Sequence, residues 1–353
     1  MSRPLTVLFQ SRNRRGLGHL MRGLNIAREV LAVRPDARVI MHTRNASAPE
    51  FCPPSVECLV DDGTEGAAWI DVLAAMQPDV VVYDTMLPDE PQSLPSTARV
   101  VYVMRKSRPE QHRALLADPF VHRVNAVVVP HTREEFGHRL PAALDARTAF
   151  VGLVARRPEP DAQVRLRPDP GPFLLVSTAG GGGFAHSAEP FFEAVAATCR
   201  ALAERPPARG LQHVVVLGPH CAGAPALPGA SVVRSVPALV DLLAVADLVV
   251  SEGGYNSVAE LRLVRTPAVF LPGERTYDDQ AERVTALALR GAALCLQGAP
   301  AEQVARQVTA LVHDPARLAA MRASYAGDDL PLGNRAAAEH VLGPHVRPSS
   351  GAA

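Results

Sequence analysis

The sequence predicts an α/β protein with two Rossmann-like domains, each built on a doubly wound parallel sheet, that face each other across a cleft. Short apolar runs typical of buried strands alternate with segments whose apolar residues recur at helical spacing. This alternation requires the crossover connections of parallel sheets. The 353 residues also exceed one ordinary core, and a stretch dense in proline and charge interrupts the alternation after residue 155.

These observations divide the chain into four predicted segments. We expect a first domain at 1–155, a linker at 156–170 and a second domain at 171–330. The remaining segment, 331–353, is predicted to be a C-terminal helix from Arg335 followed by a disordered tail.

The first domain opens with the apolar run Leu5–Phe9, the loop QSRNRRGLGH and a helix beginning near His19. Further strands are predicted at 37–42, 79–83, 99–103, 125–129 and 149–153. Segments with helical spacing, at 66–76 and 110–118, lie between some of them. The pattern is that of strands joined by crossovers.

The second domain repeats this scheme. Its strands are predicted at 173–177, 213–218, 248–251, 268–272 and 292–296. Its helices are predicted at 188–204, 239–247, 257–263, 279–289 and 302–314. Ligands of open parallel sheets bind outside the carboxyl ends of the strands. We therefore expect the chemistry in the loops after Phe9, Tyr83, Val176, Val250 and Leu271.

The composition argues against several classes of partner. Lys+Arg and Asp+Glu both number 36, whereas proteins that bind nucleic acid usually carry a basic excess. No apolar run approaches a membrane span, and Met1–Gln10 lacks the apolar core of a signal peptide. We expect a cytoplasmic protein, for which peripheral contact with a membrane stays open. The cysteines and histidines show no metal-ligand spacing, so neither a metal nor a cofactor is expected.

The most informative stretch is DLVVSEGGYNSVAE, from Asp247 to Glu260. It predicts a strand, a turn at Gly253 and Gly254, and a helix that begins near Asn256. A glycine turn at a helix N-terminus offers free backbone N–H groups to an anion. Glu260 would repel a phosphate, but a carboxylate suits the two donor hydroxyls of a ribose. The stretch therefore predicts a nucleotide ligand.

A second glycine run, Gly180, Gly181, Gly182 and Gly183, lies between a predicted strand and the next helix. Its backbone N–H groups could cradle a phosphate. It matches neither a Walker A motif nor GxGxxG. The alternative is a disordered surface loop.

The loop before the first helix contains Gly18 and His19. A neutral imidazole at a helix N-terminus could accept a proton from an acceptor hydroxyl, although a histidine that only caps the helix is the commoner case. Asp84 follows the predicted strand 79–83 and could orient His19, or it could be an ordinary turn residue.

Basic residues accompany this loop. They include Arg14 and Arg22, and Arg105 ends another predicted strand. They could bind acidic groups of an acceptor, or they could form a solvated basic edge.

Beyond these local patterns, residues 247–293 resemble the C-terminal donor-binding segment of GT-B fold nucleotide-sugar glycosyltransferases. The likeness is strongest to the family 28-like N-acetylglucosaminyltransferases of the lipid-linked step of peptidoglycan synthesis. The glycine run at 180–183 and the segment GLGHLMRGLNIA lie where that family has its two glycine-rich loops.

The resemblance implies roles for the donor-side residues. Glu260 would bind the ribose hydroxyls, while Gly253 and Gly254 would admit the diphosphate. Asn256 and Ser257 would lie beside the donor at the helix N-terminus. The remaining implied positions are Gly180–Gly183 for the diphosphate, Val236 and Leu239 for the nucleobase, and Asp279 and Gln280 for the sugar.

On the acceptor side the resemblance implies His19 as the base, with Gly18, Arg14, Arg22 and Arg105 nearby. It also implies an inverting displacement without a metal, because backbone donors and helix dipoles would stabilise the leaving diphosphate. The donor would be UDP- or dTDP-linked, and the acceptor hydroxyl or amine would belong to a small molecule or a lipid-linked molecule.

The first loop departs from the family pattern. It is poorer in glycine, and Arg22 stands where many relatives have proline. Gly-His-x-x-Arg also occurs in GT-B-fold hydrolases that use the same donor cleft. A nucleotide-sugar hydrolase or epimerase is therefore the first alternative, and a non-catalytic nucleotide-sugar-binding protein is the second.

Overall fold

The structure is a computed structural model that describes residues 3–64, 66–88, 97–167, 171–180, 185–221, 223, 226–273, 280–326 and 330–346. The chain forms two units. The first comprises Met1–Ala155 together with Leu330–Ala353, and the second comprises Arg156–Asp329. Each unit is an α/β layer structure around a parallel sheet, which confirms the predicted fold class.

The sheet of the first unit has the order β3-β2-β1-β4-β5-β6-β7, and the pairings between its strands are parallel. Its strands are β1 (Thr6–Ser11), β2 (Arg38–Thr43), β3 (Glu57–Val60), β4 (Val80–Asp84), β5 (Arg99–Val103), β6 (Ala126–Val129) and β7 (Thr148–Phe150). Apolar side chains of these strands form clusters on both faces of the sheet, which is why the strands read as continuous apolar runs.

The helices of the first unit cover these two faces. They are α1 (Gly18–Val33), α2 (Trp69–Met76), α3 (Pro109–Ala117), α4 (Pro119–Arg123), α5 (Arg133–Phe136), α6 (Ala142–Asp145) and, from the C-terminal segment, α14 (Asn334–Leu342). Short 3₁₀ turns occur at Ala48–Glu50 and Gly343–His345.

The sheet of the second unit has the order β10-β9-β8-β11-β12-β13. Its strands are β8 (Phe173–Thr178), β9 (Leu211–Val216), β10 (Ala230–Val233), β11 (Leu248–Ser251), β12 (Ala268–Phe270) and β13 (Ala293–Cys295). Its helices are α7 (Ala162–Leu166), α8 (Ala185–Glu204), α9 (Leu239–Val245), α10 (Tyr255–Val264), α11 (Gln280–Leu289), α12 (Ala301–Val312) and α13 (Pro315–Ala323). Apolar clusters again fill both faces.

The segment 156–170, predicted as a linker, is part of the second unit. Within it, α7 packs against α9. The Asp241 carboxylate of α9 is buried and accepts hydrogen bonds from the Arg165 guanidinium at 2.8 Å and from the Glu159 N–H at 2.9 Å. Arg167 donates to the Val245 carbonyl oxygen and to Asp247, at 2.7 Å each. The charges that suggested a solvated connection therefore attach this segment to the unit.

The C-terminal segment, predicted as a separate region at 331–353, completes the first unit. The apolar face of α14, which includes Ala337 and Val341, packs against α1 and joins the same core cluster. The Asn334 amide bonds both to the Ala155 N–H at 3.1 Å and to the Ala155 carbonyl oxygen at 2.7 Å. The predicted disordered tail, from residue 347, lies outside the described residues.

Among the described helices, none is both long and apolar enough to span a bilayer.

Candidate functional site

Each sheet reverses its strand order at one point. In the first unit, β2 lies on one side of β1 and β4 on the other; in the second, β9 and β11 flank β8 in the same way. Loops at such switch points diverge and leave room for a ligand at the carboxyl ends of the strands. Most of the residues predicted to carry the chemistry follow β1, β4, β8 and β11, and the others follow β5, β10 and β12.

The turn between β11 and α10 has the geometry of an anion site. Gly253 has a φ of +85°, and a Cβ added to it would lie 2.6 Å from the Val284 Cγ1 of α11, so only glycine fits without a shift. Gly254 is the N-cap of α10 and provides no side-chain cap. The N-terminus of α10 therefore directs the positive end of its helix dipole toward this turn.

Glu260 lies one turn further along α10, and its side chain is buried, with 6% of the residue exposed. In the part of the chain that the structure describes, its carboxyl group has no hydrogen-bond partner. Burial raises the pKa of Glu260 to about 8, against an opposing effect of the Arg156 guanidinium. A buried carboxyl without a partner is costly, and a ligand that brings hydroxyl donors would satisfy it.

Helix α11 lies beside this turn. The Arg283 guanidinium donates to the Gly253 carbonyl oxygen at 3.2 Å, and Val284 closes on Gly253. Gln280, one helical turn before Val284 on the same face, is 5% exposed, and its Oε1 atom has no partner among the described residues. Gln280 therefore offers a buried polar group next to the Gly253–Gly254 turn.

The described part of the second glycine loop reaches the same edge. Thr178 at the end of β8 pairs with Ser251 at the end of β11, and Gly180 follows with a φ of +64°. The Thr178 hydroxyl accepts a hydrogen bond from the Gly180 N–H at 3.3 Å. Gly181, Gly182, Gly183 and Asp279 lie outside the described residues.

The other predicted donor-side residues are half-buried. Asn256 and Ser257 lie in the first turn of α10. Val236 and Leu239 pack partly against the apolar cluster that contains Leu243 and Phe270, and part of each remains exposed.

Two arginines near this edge were not predicted from the sequence. Arg156 donates to the Pro237 carbonyl oxygen at 3.4 Å and faces Glu260, while Arg283 holds the Gly253 carbonyl oxygen. Arg156 also pairs with Glu159 at 3.1 Å, but the carbonyl oxygens that the two arginines contact and the Glu260 carboxyl are distant in sequence and leave no pattern in it. An arginine one turn after Gln280 on a ligand-facing helix was the one available signal.

In the first unit the structure brings His19 and Asp84 together. The His19 Nδ1 atom lies 3.0 Å from Asp84 Oδ1 and 3.2 Å from the Asp84 carbonyl oxygen. Both atoms of Asp84 are acceptors, so Nδ1 carries the proton and Nε2 of a neutral imidazole is free to accept one. This geometry is that of a base oriented by a carboxylate.

Arg22 was predicted to lie on the acceptor side or at a solvated edge, but the structure places it in the interior. Its side chain is 1% exposed, and its guanidinium forms a two-pronged ion pair with Asp84. Burial excludes it from contact with an acceptor. The other three predicted residues lie at the surface or partly exposed: Arg14 is exposed, Arg105 is half-buried, and Gly18 begins α1 with open space where a Cβ would stand.

Thr85, which follows Asp84, adopts a φ of +61°, a conformation that is rare for a β-branched residue. Its hydroxyl donates to Asp84 Oδ1 at 2.8 Å, and the Tyr102 hydroxyl donates to the Thr85 carbonyl oxygen at 2.5 Å. Backbone strain of this kind persists where the surroundings enforce it, often at functional sites.

Comparison with known families finds a match for part of the second unit. Residues 226–332 match the glycosyltransferase family 28 C-terminal domain. This range contains Gly253, Glu260 and Gln280.

Similarity to whole proteins extends further. The N-acetylglucosamine transferase of Nocardioides sp. that acts on N-acetylmuramyl-(pentapeptide) pyrophosphoryl-undecaprenol is 35% identical over 194 residues, covering 52% of this chain and 50% of that protein. The Mycobacterium leprae protein of the same name is 41% identical over 102 residues, covering 28% and 24%. The chain thus spans about half the length, or less, of these curated relatives.

Several solved structures are similar to this chain over nearly its whole length. The glycotransferase of kitacinnamycin has a TM-score of 0.64 at 20% identity and covers 98% of this chain and 100% of its own. MurG of Acinetobacter baumannii has a TM-score of 0.58 at 16% identity, with 96% and 99% covered. The chain resembles GT-B glycosyltransferases.

The residues of the site fall into two groups, those inside the range that matches a family domain and those outside it. Gly253, Glu260 and Gln280 lie in the range that matches a family domain, on the side where the GT-B resemblance expects the donor. His19 and Asp84 lie in the first unit, outside that range, and their roles rest on geometry.

Proposed function

We propose that this protein is a metal-independent, inverting glycosyltransferase that moves a sugar from a UDP- or dTDP-linked donor to a hydroxyl or amine of an acceptor. The acceptor would be a small molecule or a lipid-linked molecule, and no cofactor would take part. The family 28 match in the second unit and the transferase names of the relatives support the reaction class.

The observation that carries the proposal is the buried carboxyl of Glu260 beside the Gly253–Gly254 turn. A nucleotide would place its ribose hydroxyls as donors to this carboxyl and its diphosphate at the N–H groups of α10. Gln280 would accept from a hydroxyl of the sugar through its Oε1 atom, which has no partner among the described residues. One ligand class would thus satisfy each of these groups.

Stabilisation of the leaving diphosphate would come from fixed donors. The positive end of α10 and the backbone at Gly180 supply it, and Arg283 adds a nearby positive charge. No group of three or more His, Cys, Asp or Glu side chains within the described ranges could hold a metal ion. If the reaction is metal-independent, excess EDTA leaves turnover unchanged.

For the acceptor, His19 would serve as general base. The Nε2 atom would take the proton from the acceptor hydroxyl or amine as the oxygen or nitrogen attacks the anomeric carbon. The bond from that carbon to the diphosphate would break as the new glycosidic bond forms. Asp84 would hold the imidazole by accepting from Nδ1. An attack opposite the leaving group inverts the anomeric configuration, which proton NMR of the product would report.

The test starts with nucleotide binding. A thermal-shift panel of UDP, dTDP, GDP and ADP would define the donor class, because a ligand that binds only the folded state raises the unfolding midpoint. Glu260→Ala should weaken binding of the best nucleotide by about 1–3 kcal/mol, since two ribose hydroxyls lose their partner. Glu282→Ala, which removes an exposed carboxylate on α11, is the matched control. Equal affinities for the two variants would contradict the proposal.

A nucleotide-sugar hydrolase is the second candidate, and the burial of Arg22 favours it. The arginine of Gly-His-x-x-Arg pairs with Asp84 and is not available to bind acidic groups of an acceptor, whereas water as the acceptor needs no such charge. Incubation with the donor alone separates the two reactions. Rapid release of free sugar without acceptor would identify a hydrolase, and donor binding without turnover in either assay would identify a binding protein.

A further inference from the structure

The first unit contains an arginine that is buried in the protein interior. Arg22 lies on α1, one turn after His19, and its side chain is 1% exposed. A buried guanidinium is costly unless its charge and its donors are matched. The carboxylate of Asp84, the residue that also orients His19, offsets this cost by pairing with the guanidinium.

The contacts form a closed network around one carboxylate. Arg22 Nε donates to Asp84 Oδ2 at 2.9 Å, and Arg22 Nη2 donates to Asp84 Oδ1 and, at 3.1 Å, to the Thr85 hydroxyl. Oδ1 also accepts from the Thr85 hydroxyl and from His19 Nδ1. The guanidinium fork fixes both oxygens and hence the plane of the carboxylate.

We propose that Arg22 is a positioning residue for the His19–Asp84 pair: it holds the Asp84 carboxylate ionised and in the one orientation that accepts from His19 Nδ1. The consequence is that the neutral imidazole of His19 carries its proton on Nδ1 and presents Nε2 as an acceptor. The inference rests on the proposed role of His19 as a base. It assigns Arg22 to this pair and not to the acceptor.

The charge balance supports this role. Burial alone would raise the pKa of Asp84, but Arg22 and the hydrogen bond from His19 outweigh burial and lower it. Without Arg22, only His19 would oppose the effect of burial, and the pKa of Asp84 would rise. A protonated Asp84 would accept more weakly from His19 Nδ1.

No other described group replaces this charge. Tyr102 on β5 faces the carboxylate, but burial raises the pKa of its hydroxyl, which stays neutral and bonds to the Thr85 carbonyl oxygen. Arg105 and Asp118 lie beyond Tyr102 and carry opposite charges. The α14 side chains in the core cluster of this unit, which include Ala337, Ala338 and Val341, are apolar.

The experiment compares Arg22→Met, which removes the charge, with Arg22→Lys, which keeps it without the fork. Arg28→Met, on the same helix but half-exposed, is the control. We expect Arg22→Met to lower kcat roughly a hundredfold at pH 7. The acid limb of its pH–kcat profile should move upward by about one pH unit or more. Arg22→Lys should show a smaller loss and an unshifted acid limb. The donor KM should stay within about twofold for all three variants.

A purely structural role predicts a different result. The fraction of folded protein would fall, and the surviving activity would keep the wild-type pH profile; this outcome overturns the proposal. If Arg22→Met does not fold, Arg22→Lys and Thr85→Val carry the test. Thr85→Val removes the bridging hydroxyl and should lower kcat severalfold with an unchanged donor KM.

A spectroscopic measurement separates this inference from the proposed function. Proton–nitrogen correlation spectra of ¹⁵N-histidine-labelled protein, assigned with His19→Gln, report which imidazole nitrogen of His19 is protonated. We expect the Nδ1–H tautomer in the wild type and a loss of that preference in Arg22→Met. A wild type without turnover would reject the proposed function alone, whereas an unchanged tautomer in Arg22→Met would reject the role of Arg22.

Discussion

Gly253 shows at the scale of one residue how the candidate donor site depends on a glycine. Its φ of +85° and the 2.6 Å approach of Val284 Cγ1 to a would-be Cβ both act against any side chain. Gly254, the next residue, has a φ of −59° and open space around its Cβ position. Backbone conformation and lack of space therefore both require glycine at position 253, and neither requires it at position 254.

We predict that Gly253→Ala lowers the free energy of unfolding by about 1–3 kcal/mol, because the added methyl group meets both strain and overlap. Gly254→Ala should change it by less than about 1 kcal/mol, and any effect there should appear in nucleotide affinity. Chemical denaturation and nucleotide titration of the two variants measure this. Equal stability losses would contradict the assignment of strain to Gly253.

Glu260 predicts a stability that depends on pH. Its pKa is raised to about 8 in the folded protein from an ordinary value of 4.5, so its contribution to stability is fully present below pH 4.5 and is lost as the pH rises through 8. We expect Glu260→Gln to be more stable than the wild type at pH 8, by no more than about 4 kcal/mol, and similar to it at pH 4.5.

Urea denaturation at several pH values tests this, with Glu282→Gln as the exposed control. The same Glu260→Gln variant should bind the nucleotide more weakly, because an amide is a poorer partner than a carboxylate for two hydroxyl donors. We thus expect Glu260→Gln to gain stability and to lose nucleotide affinity, as is common when a residue of a ligand site is replaced. A flat pH difference between the wild type and Glu260→Gln would argue that Glu260 has an ordinary pKa.

At the scale of secondary-structure elements, the central strands were predictable, and so were the edge strands β7 and β13, whereas the edge strands β3 and β10 were not. β1 and β8, buried on both faces, read as continuous apolar runs. β3 and β10 lie at sheet edges with half-exposed residues, and their short sequences ECLV and ASVV give no such signal. Apolar runs mark buried strands, and neither β3 nor β10 contains a buried residue.

The site follows the same logic. The glycine turn and Glu260 were predicted because a strand, a turn and a helix start leave a pattern in adjacent residues, whereas Gln280 was predicted only through the family resemblance. The proximity of His19 and Asp84 was predictable because both follow neighbouring strands. The pairing of Arg22 with Asp84 was not, because it depends on a side chain that turns inward 62 residues away in sequence.

Helix α7 gives a prediction at this scale. Asp241 anchors it through a buried carboxylate that accepts from Arg165 and from the Glu159 N–H. We expect Asp241→Ala to lower the unfolding midpoint by several degrees, since the Glu159 N–H loses its acceptor. Asp161→Asn, which alters the exposed second partner of Arg165, should have no measurable effect. Calorimetry of both variants measures these midpoints. Equal midpoints would indicate that residues 156–167 are a linker that is not anchored to the second unit.

At the scale of the whole molecule, the first unit is discontinuous in sequence. It needs α14, whose buried residues Ala337, Ala338, Val341 and Leu342 complete the core under α1. The second unit, Arg156–Asp329, is continuous. The two units should therefore respond differently to being expressed alone.

We predict that residues 156–329 fold alone and bind the nucleotide, whereas residues 1–155 do not fold cooperatively. Joining 330–346 to 1–155 through a flexible linker should restore a cooperative transition, because the apolar face of α1 regains its cover. Circular dichroism and hydrogen exchange of the three polypeptides measure this. A cooperative transition in 1–155 alone would show that α14 is dispensable.

The return of α14 to the first unit also imposes an order in time. The ribosome releases a chain from its N-terminus onward, so residues 3–155 emerge well before the helix that completes their core. All of 156–329 is synthesised in between. During synthesis the second unit therefore has its full sequence first, and the first unit must wait with part of α1 uncovered. Exposed apolar surface of this kind is what chaperones bind, and slow translation of residues 156–346 would prolong its exposure.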